Sequence, residues 1–575
     1  MGDSGNIQLV FWDYAVFFVY LVLISLIGYY FGRKKKKSSS DFFLAGKSLP
    51  WYVIGSSFTA ANISTEHFIG VVGAAFIYGI SIAMSEWANV LSFTLLIWIF
   101  IPFLMASKVF SIPEFLEKRF NSTIRQIFAV VTIATNILAF LAAVLYGGGL
   151  ILQKLFGIDL MISILIISAI SLAWAVYGGL KSLAWMDVLT VAVMVIGGLL
   201  VTFLGLHYLS GDSHSIIEGF KIMLERNRAE TGIWREVVQK NIPNMLDSNI
   251  TSYNRLSVVQ PISHKVTPWP NLILGVFTIS IWYNCLNQFM IQRVLAAKST
   301  YHARMGIVFA GYLKVLMPII IVVPGLILFA LYPEVLNLEW SEVRPEADKG
   351  YIHLIQLLIP IGIKGVILAV LVGAIQSTIS AVLNSTSTVF TIDIYKRMIN
   401  KTASESRYVA IGRWSSVVVM IVSILIAFWI AKSSSSLFVY THTLYAFFAP
   451  PFSAVFVLGI LFRRMNGKGA LTAVIAGFIL GILIKVYVEV SPAPLSWLEP
   501  YNMQAIVVWF FSVIVCVLVS LQTERPRPEQ VSDKLTINWK KLNLFHDLGD
   551  RWYKNVVLWW GIFVLIVVAL VIYFF

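Results

Sequence analysis

The sequence predicts an all-α polytopic membrane protein of about fourteen transmembrane helices. Three observations predict it. The chain has 575 residues, 58% of them hydrophobic and 13% charged, whereas a soluble domain carries about 25% charge. Its mean hydropathy is +0.81, and apolar runs long enough to cross a hydrocarbon core recur from end to end. Basic residues gather at every second boundary between those runs, as they do in loops kept on the cytoplasmic side.

The runs fall at approximately 9–32, 51–80, 82–106, 124–154, 158–177, 183–209, 268–295, 303–332, 353–395, 408–432, 436–462, 469–490, 502–521 and 555–575. Those of about 30 residues or more exceed one straight crossing and must be tilted, broken or extended outside. The first run follows an uncharged-to-acidic start and precedes the basic cluster Lys34–Lys37, so it reads as a retained helix and not a cleaved signal. The same side of the membrane then receives Lys108, Lys118, Arg119, Arg125 and Lys181, later Arg293, Lys298, Lys396 and Arg397, then Arg463, Arg464 and Lys468. Arg525, Arg527, Lys540 and Lys541 close the series. This alternation predicts a multi-pass protein of the cell membrane with both termini outside. It also accounts for the net charge of +14 through the bilayer, with no nucleic-acid partner. Cys285 and Cys516 lie in apolar runs and offer neither a disulfide framework nor metal-ligand spacing.

Two outer loops are long. Residues 210–266 are polar and contain IWREVVQKN, a short amphipathic helix over the external mouth; residues 333–349 are acidic. Residues 525–552 form a cytoplasmic connector before the last run. Loops of this size are either lids or solvated connectors.

Chemistry concentrates in Gly55–Gly70, GSSFTAANISTEHFIG. It lies within an apolar run yet carries Ser56, Ser57, Thr59, Asn62, Ser64, Thr65, Glu66 and His67. Polar groups in hydrocarbon cost several kcal/mol unless partnered, and ionisable ones face a cavity or a bundle interior. The helix is therefore expected to break near Asn62, its freed carbonyls holding a cation and Glu66 and His67 facing a solute. A second polar-interrupted run, FTISIWYNCLNQFMIQ, lies within 268–295. Five runs begin with each, and paired interruptions at matching places in two halves point to a transport site. In the run from Val366 to Arg397, Ala374, Ser377 and Thr378 are spaced i, i+3, i+4 and share one helix face. A carbonyl from Ala374 and the two hydroxyls, with the carbonyls of Ala60 and Ile63, would give five neutral oxygens, which suits a weakly held Na⁺. The competing reading is that such hydroxyls bond the preceding turn or pack close helices.

The segments AANISTEHFIG, SIPEFLEKRF, YGGLKSLAWMDV, NQFMIQRVLAAKS and LNSTSTVFTIDIYK resemble the sodium/solute symporter family, and within it the sodium–sugar (sodium/glucose, sodium/galactose) cotransporters. The resemblance runs from about residue 10 to about residue 470. It implies one transmembrane transporter domain over 1–575 with a 5+5 inverted-repeat, leucine-transporter-like core. The extra helix is 9–32, the first repeat 51–209, the second 268–462, and the peripheral helices lie within 469–575. By position it implies a sodium site at Ala60, Ile63, Ala374, Ser377 and Thr378, and Asp187 on the cation path. Ser380, followed by Ala381, keeps one hydroxyl of the pair expected for a second sodium, so a single ion is expected. His67, Glu86 and Lys314 match sugar-contacting positions, and Tyr283 matches an aromatic that stacks beneath the sugar ring. His, Glu and Lys supply both donors and acceptors, as a neutral polyol requires. A buried Glu–Lys pair can equally be structural.

The sequence departs from the family pattern at Phe140, Ser280 and His442, where asparagine or glutamine is frequent, and at Asn89, which replaces a smaller residue. The expected cargo is a sugar or polyol, with an inositol, a sialic acid or another acidic sugar as alternatives. Na⁺ is the coupling ion, no cofactor is expected, and no metal other than Na⁺. A transporter-like sensor would call for a cytoplasmic signalling domain, whereas the chain runs to an apolar helix ending at Phe575. An intramembrane enzyme would need an acid/base or nucleophile constellation. Glu66, Glu86 and Asp187 lie on separate runs, and neither HExxH nor GxSxG occurs, so enzymatic activity is not expected.

Overall fold

A computed structural model describes residues 9–33, 38–64, 66–246, 250–431, 437–540 and 543–575, the side chains of 437–442 excepted. Lys34–Lys37, Lys541, Thr65 and the side chain of His442, all named above, fall outside them. The described residues are helical and contain no strand; three isolated bridges join loops. Among the described residues, eleven helices are long and apolar enough to cross a membrane, or twelve if the bent pair Pro270–Leu286 and Gln288–Leu295 is one span.

Helix starts follow the side chains that satisfy their free N–H groups. Asn121 Oδ1 accepts from Ile124 N at 3.0 Å, and Asn466 Oδ1 from Gly469 N at 2.8 Å. In the SIPE motif, Ser111 Oγ accepts from Glu114 N, and Pro113 occupies the first turn of Ile112–Arg119, where its missing N–H costs nothing.

Burial sorts the spans into a centre and a rim. The apolar stretch of Lys364–Ile399 is 89% buried inside the protein, against 17% for Val556–Tyr573 and 22% for Gly467–Val490. Hence Lys364–Val389 is the post around which the bundle is built. Leu160–Leu209 packs along it and also meets Phe11–Gly32 and Trp51–Asn62. Its 50 residues are interrupted at Gly179, whose φ of 61° and ψ of −171° turn the chain. A Cβ there would meet Phe42 O at 2.5 Å, so only glycine fits.

The run read as 353–395 divides. Gly350–Leu358 is a separate helix, and Lys364–Val389 begins only after Pro360 and Gly362. Proline removes a helix donor, and Gly362 has φ +93°. The outer loop likewise holds two helices, Ile216–Arg228 and Gly232–Met245, where the sequence suggested one.

Two carboxylates at the basic end pair with arginines. Arg125 Nε donates to Asp393 Oδ1 at 2.9 Å, and Glu117 accepts from Arg397 Nη2 at 2.7 Å. These pairs tie Ile112–Arg119 and Ser122–Thr135 to the end of the central helix.

Candidate functional site: a broken helix beside a lined cavity

Trp51–Asn62 ends as an α-helix at Asn62, and Ile63 is extended, with φ −96° and ψ 120°. A continuing helix would take Ser64 N–H to Ala60 O. Instead Ser64 N donates to His67 Nδ1 at 3.3 Å. The last carbonyls are thereby released, and Thr378 Oγ1 lies 3.1 Å from Ile63 O and 3.3 Å from Ala61 O as a donor. The second interrupted run bends by 51° at Asn287, which is extended and whose Oδ1 caps the next helix.

Ser377 points elsewhere. Its Oγ donates to Asp187 Oδ1 at 2.6 Å, while Ser57 Oγ donates to Asp187 Oδ2 at 2.5 Å. Arg293 closes the cluster. Its Nε donates to Ser57 O at 3.1 Å and Ser57 Oγ at 2.7 Å, and its Nη2 lies 3.7 Å from Asp187 Oδ2. Asp187 and Arg293 are both buried, and each supplies the other's countercharge. Ala60 packs with Val191 and Leu313, and Ala374 is fully buried in the main core. Ser380 joins a different chain of bonds, accepting from Gln376 Nε2 at 2.8 Å, with Gln376 Oε1 accepting from Ser171 Oγ at 2.6 Å. Asp187, by contrast, is held by Ser57 and Ser377.

On the other side of the break lies a cavity of about 220 Å³. Lys314 Nζ donates to Glu86 Oε2 at 2.5 Å and also to Asn62 Oδ1. His67 Nε2 is 3.5 Å from Glu86 Oε1. Since His67 Nδ1 accepts from Ser64 N, its proton belongs on Nε2, towards Glu86. Asn89 Oδ1 accepts from Asn284 Nδ2 at 2.7 Å. Ser280 and Tyr283 line the wall, and Thr378 lines it too, so one hydroxyl touches both the break and the cavity. Phe140 belongs to an aromatic floor, its ring 4.9 Å from Tyr445 and 5.8 Å from Tyr283.

The sequence reading assigned no site role to Ser57, Asn284, Tyr445 or Thr267. It took Arg293 for a boundary charge. Its position within the NQFMIQR segment, following the second interruption, was the available signal. Thr267 had none, because the outer loop's path is set by distant contacts. Arg255 Nη1 and Nη2 donate to Ile77 O at 2.6 Å and Phe76 O at 2.7 Å, under the ring of Phe329 at 3.5 Å. The guanidinium thus caps the carbonyl end of the helix beyond the break. Tyr253 OH donates to Tyr78 O at 2.7 Å and lies 2.9 Å from His264 Nε2. His264 Nδ1 accepts from Thr267 N at 2.8 Å, which places Thr267 at the cavity. Burial pushes His264 down to about 3, so it is neutral at ordinary pH. No group of three or more His, Cys, Asp or Glu side chains with metal-ligand geometry occurs among the described residues.

The sequence model of the Sodium:solute symporter family matches residues 42–477. The sodium/glucose cotransporter of Vibrio parahaemolyticus is 34% identical over 557 residues, covering 94% of this chain and 97% of that protein. The human sodium/myo-inositol cotransporter is 31% identical over 558 residues, 92% of this chain and 76% of the relative. Among solved structures, a Na⁺-coupled sialic acid symporter in a substrate-bound outward-open state superposes with a TM-score of 0.73 at 23% identity, covering 90% of this chain and 99% of that one.

Proposed function

The chain belongs to the sodium:solute symporter family, and on that premise we propose that it carries a neutral, hydroxyl-rich solute, a sugar or an inositol, inward on the Na⁺ gradient. The observation that carries the proposal is the shared wall. The break at Asn62–Ser64, with Thr378 against its carbonyls, adjoins the cavity that holds Glu86 and Lys314.

We assign the ion to Ala60, Ile63, Ala374, Ser377 and Thr378. Support comes from the donor set: neutral carbonyl and hydroxyl oxygens suit a hard monovalent cation held reversibly. Ser377 spends its proton on Asp187, which leaves oxygen lone pairs for the ion. Asp187 then acts by orienting that hydroxyl, with Arg293 balancing its charge. We assign the solute to His67, Glu86, Asn89, Ser280, Tyr283, Lys314 and His442. The Glu86–Lys314 pair offers acceptors and donors to hydroxyls without a net charge. That favours a neutral cargo over the sialic or other acidic sugars.

Coupling follows from linkage: an ion that favours the solute-competent state tightens the solute, and the reverse holds. One Na⁺ gains about 2.3 kcal/mol per 100 mV, and a tenfold gradient about 1.4 kcal/mol. Together they sustain accumulation of roughly a few hundred-fold.

Dividing Leu160–Leu209 at Gly179, joining the halves of each broken segment and ending the first of them near Gly79 gives fourteen crossings. We read them as an extra helix, two inverted five-helix repeats at 51–209 and 268–462, and peripheral helices, in the plasma membrane with both termini outside. Uptake into proteoliposomes of glucose, galactose, myo-inositol and N-acetylneuraminate, in Na⁺ against K⁺, tests the function. Stimulation by Na⁺ of a neutral polyol is expected. Uptake of no polyol above the K⁺ level refutes it.

A further inference from the structure

A second cavity, of about 730 Å³, lies away from the ion and solute sites, at the end of the bundle where the basic loops gather. One wall is a stripe of the Thr300–Ile321 helix, Tyr301, Met305, Val308 and Tyr312, at i, i+4, i+7 and i+11. The other is Trp559 and the loop before it, and Trp51 closes one end. Three interactions fix this frame. Tyr301 N donates to Asp547 Oδ2 at 2.9 Å, Tyr312 OH to Trp559 O at 2.7 Å, and Trp559 Nε1 to Tyr553 O at 2.8 Å.

The lining changes character along its length. The mouth carries Asp547, Asp550 and Lys554, all exposed, and the depth carries Met305, Val308 and Phe309. From Tyr301 to Tyr312 the stripe spans about 16 Å at ~1.5 Å per residue, close to half of a ~30 Å hydrocarbon core. A polar mouth over an apolar shaft one leaflet deep has the outline of a phospholipid. Carboxylates and an ammonium stand together at the mouth, so the complementary headgroup carries both signs. Aromatic rings beside the carboxylates favour a cationic ammonium over a hydroxyl, and amphipathic Trp and Tyr belong at this depth.

We propose that this cavity is a binding site for a zwitterionic phospholipid with an amine headgroup. The ammonium lies between Asp550, Asp547 and the Tyr301 ring, which lies against the Gly549 turn, the phosphate faces Lys554, and an acyl chain follows the Met305–Val308 stripe. Trp51 is the first residue of the helix that ends at Asn62, so the lipid abuts the arm whose far end forms the break.

The test uses full-length protein exchanged with equal amounts of phosphatidylethanolamine and phosphatidylglycerol of identical chains, read by native mass spectrometry. Retention of the amine lipid about tenfold above the glycerol lipid is expected. Asp550→Asn lowers that preference severalfold, and Met305→Trp, which fills the shaft, removes the retained lipid. Excess glycerophosphoethanolamine, which has the headgroup but no chains, leaves the lipid in place. Equal retention of the two lipids by the wild type overturns the proposal. So does unchanged retention in Asp550→Asn, an exposed position whose variant folds whatever happens to Met305→Trp. Displacement by the water-soluble headgroup overturns the lipid assignment.

Discussion

Removing the ammonium of Lys314 exposes what the Glu86–Lys314 pair contributes. The partners lie 2.5 Å apart and both are buried. At an effective dielectric of about 20, charges that close attract by roughly 6–7 kcal/mol, and the cost of taking both out of water offsets much of this. Lys314→Met therefore strands a buried carboxylate, at a cost of about 3–5 kcal/mol. Glu86→Gln strands the ammonium at a similar cost. The double variant strands neither, so it is expected to be more stable than either single variant, with a coupling of about 2–4 kcal/mol. Thermal unfolding of the four proteins in one detergent measures the cycle. The solute reads the same pair differently. A hydrogen bond to a charged group contributes about 1.5–3 kcal/mol, so both single variants and the double variant are expected to raise the half-saturating solute concentration at least about tenfold. Additive losses of stability across the cycle would falsify the pairing. Uptake kinetics at the wild-type level in Lys314→Met would show that the pair is structural only.

Ser377→Ala with Thr378→Ala is expected to abolish Na⁺-dependent uptake with expression retained; an unchanged Na⁺ dependence removes the ion assignment. Asp187→Asn, which keeps the size but loses the charge opposite Arg293, is expected to raise the half-saturating Na⁺ concentration more than that of the solute, and an equal effect on both contradicts an orienting role at the ion. His264 binds a proton in the unfolded chain below about pH 6.5 but in the folded one only near 3. Stability is therefore full above 6.5 and falls by about 1.4 kcal/mol for each pH unit below it; His264→Gln is expected to flatten that limb of the Tm–pH curve, and parallel curves would contradict it. Arg255→Met removes both bonds to the Phe76 and Ile77 carbonyls and is expected to lower Tm, with faster hydrogen exchange confined to residues 67–83 and 250–269; exchange unchanged there would show that the cap does not hold the loop.

Local chemistry made part of this legible. An apolar run of twenty residues is long enough to span, and the polar groups Asn62, Ser64, Glu66 and His67 within one must find partners, which here goes with a break after Asn62. The break and the Thr378 face were readable for that reason. Ser377 was placed on the right helix, but its partner was not, since a hydroxyl at i+3 serves whichever neighbour is nearest, and that neighbour is Asp187. Arg293 was misjudged because a basic residue near a span's end has the same sequence appearance whether it meets lipid headgroups or turns inward to Ser57.

The sequence by itself determined that the chain lies in a membrane, roughly where its apolar runs lie, and that two of them are interrupted. Those properties depend on neighbours along the chain and on the bilayer as solvent. Only the tertiary structure decided which groups share a cavity. Glu86 meets Lys314 across 228 positions, and Arg255 reaches back 178 to Ile77. Such pairings are set by how helices cross and by the space between them, which no local pattern encodes.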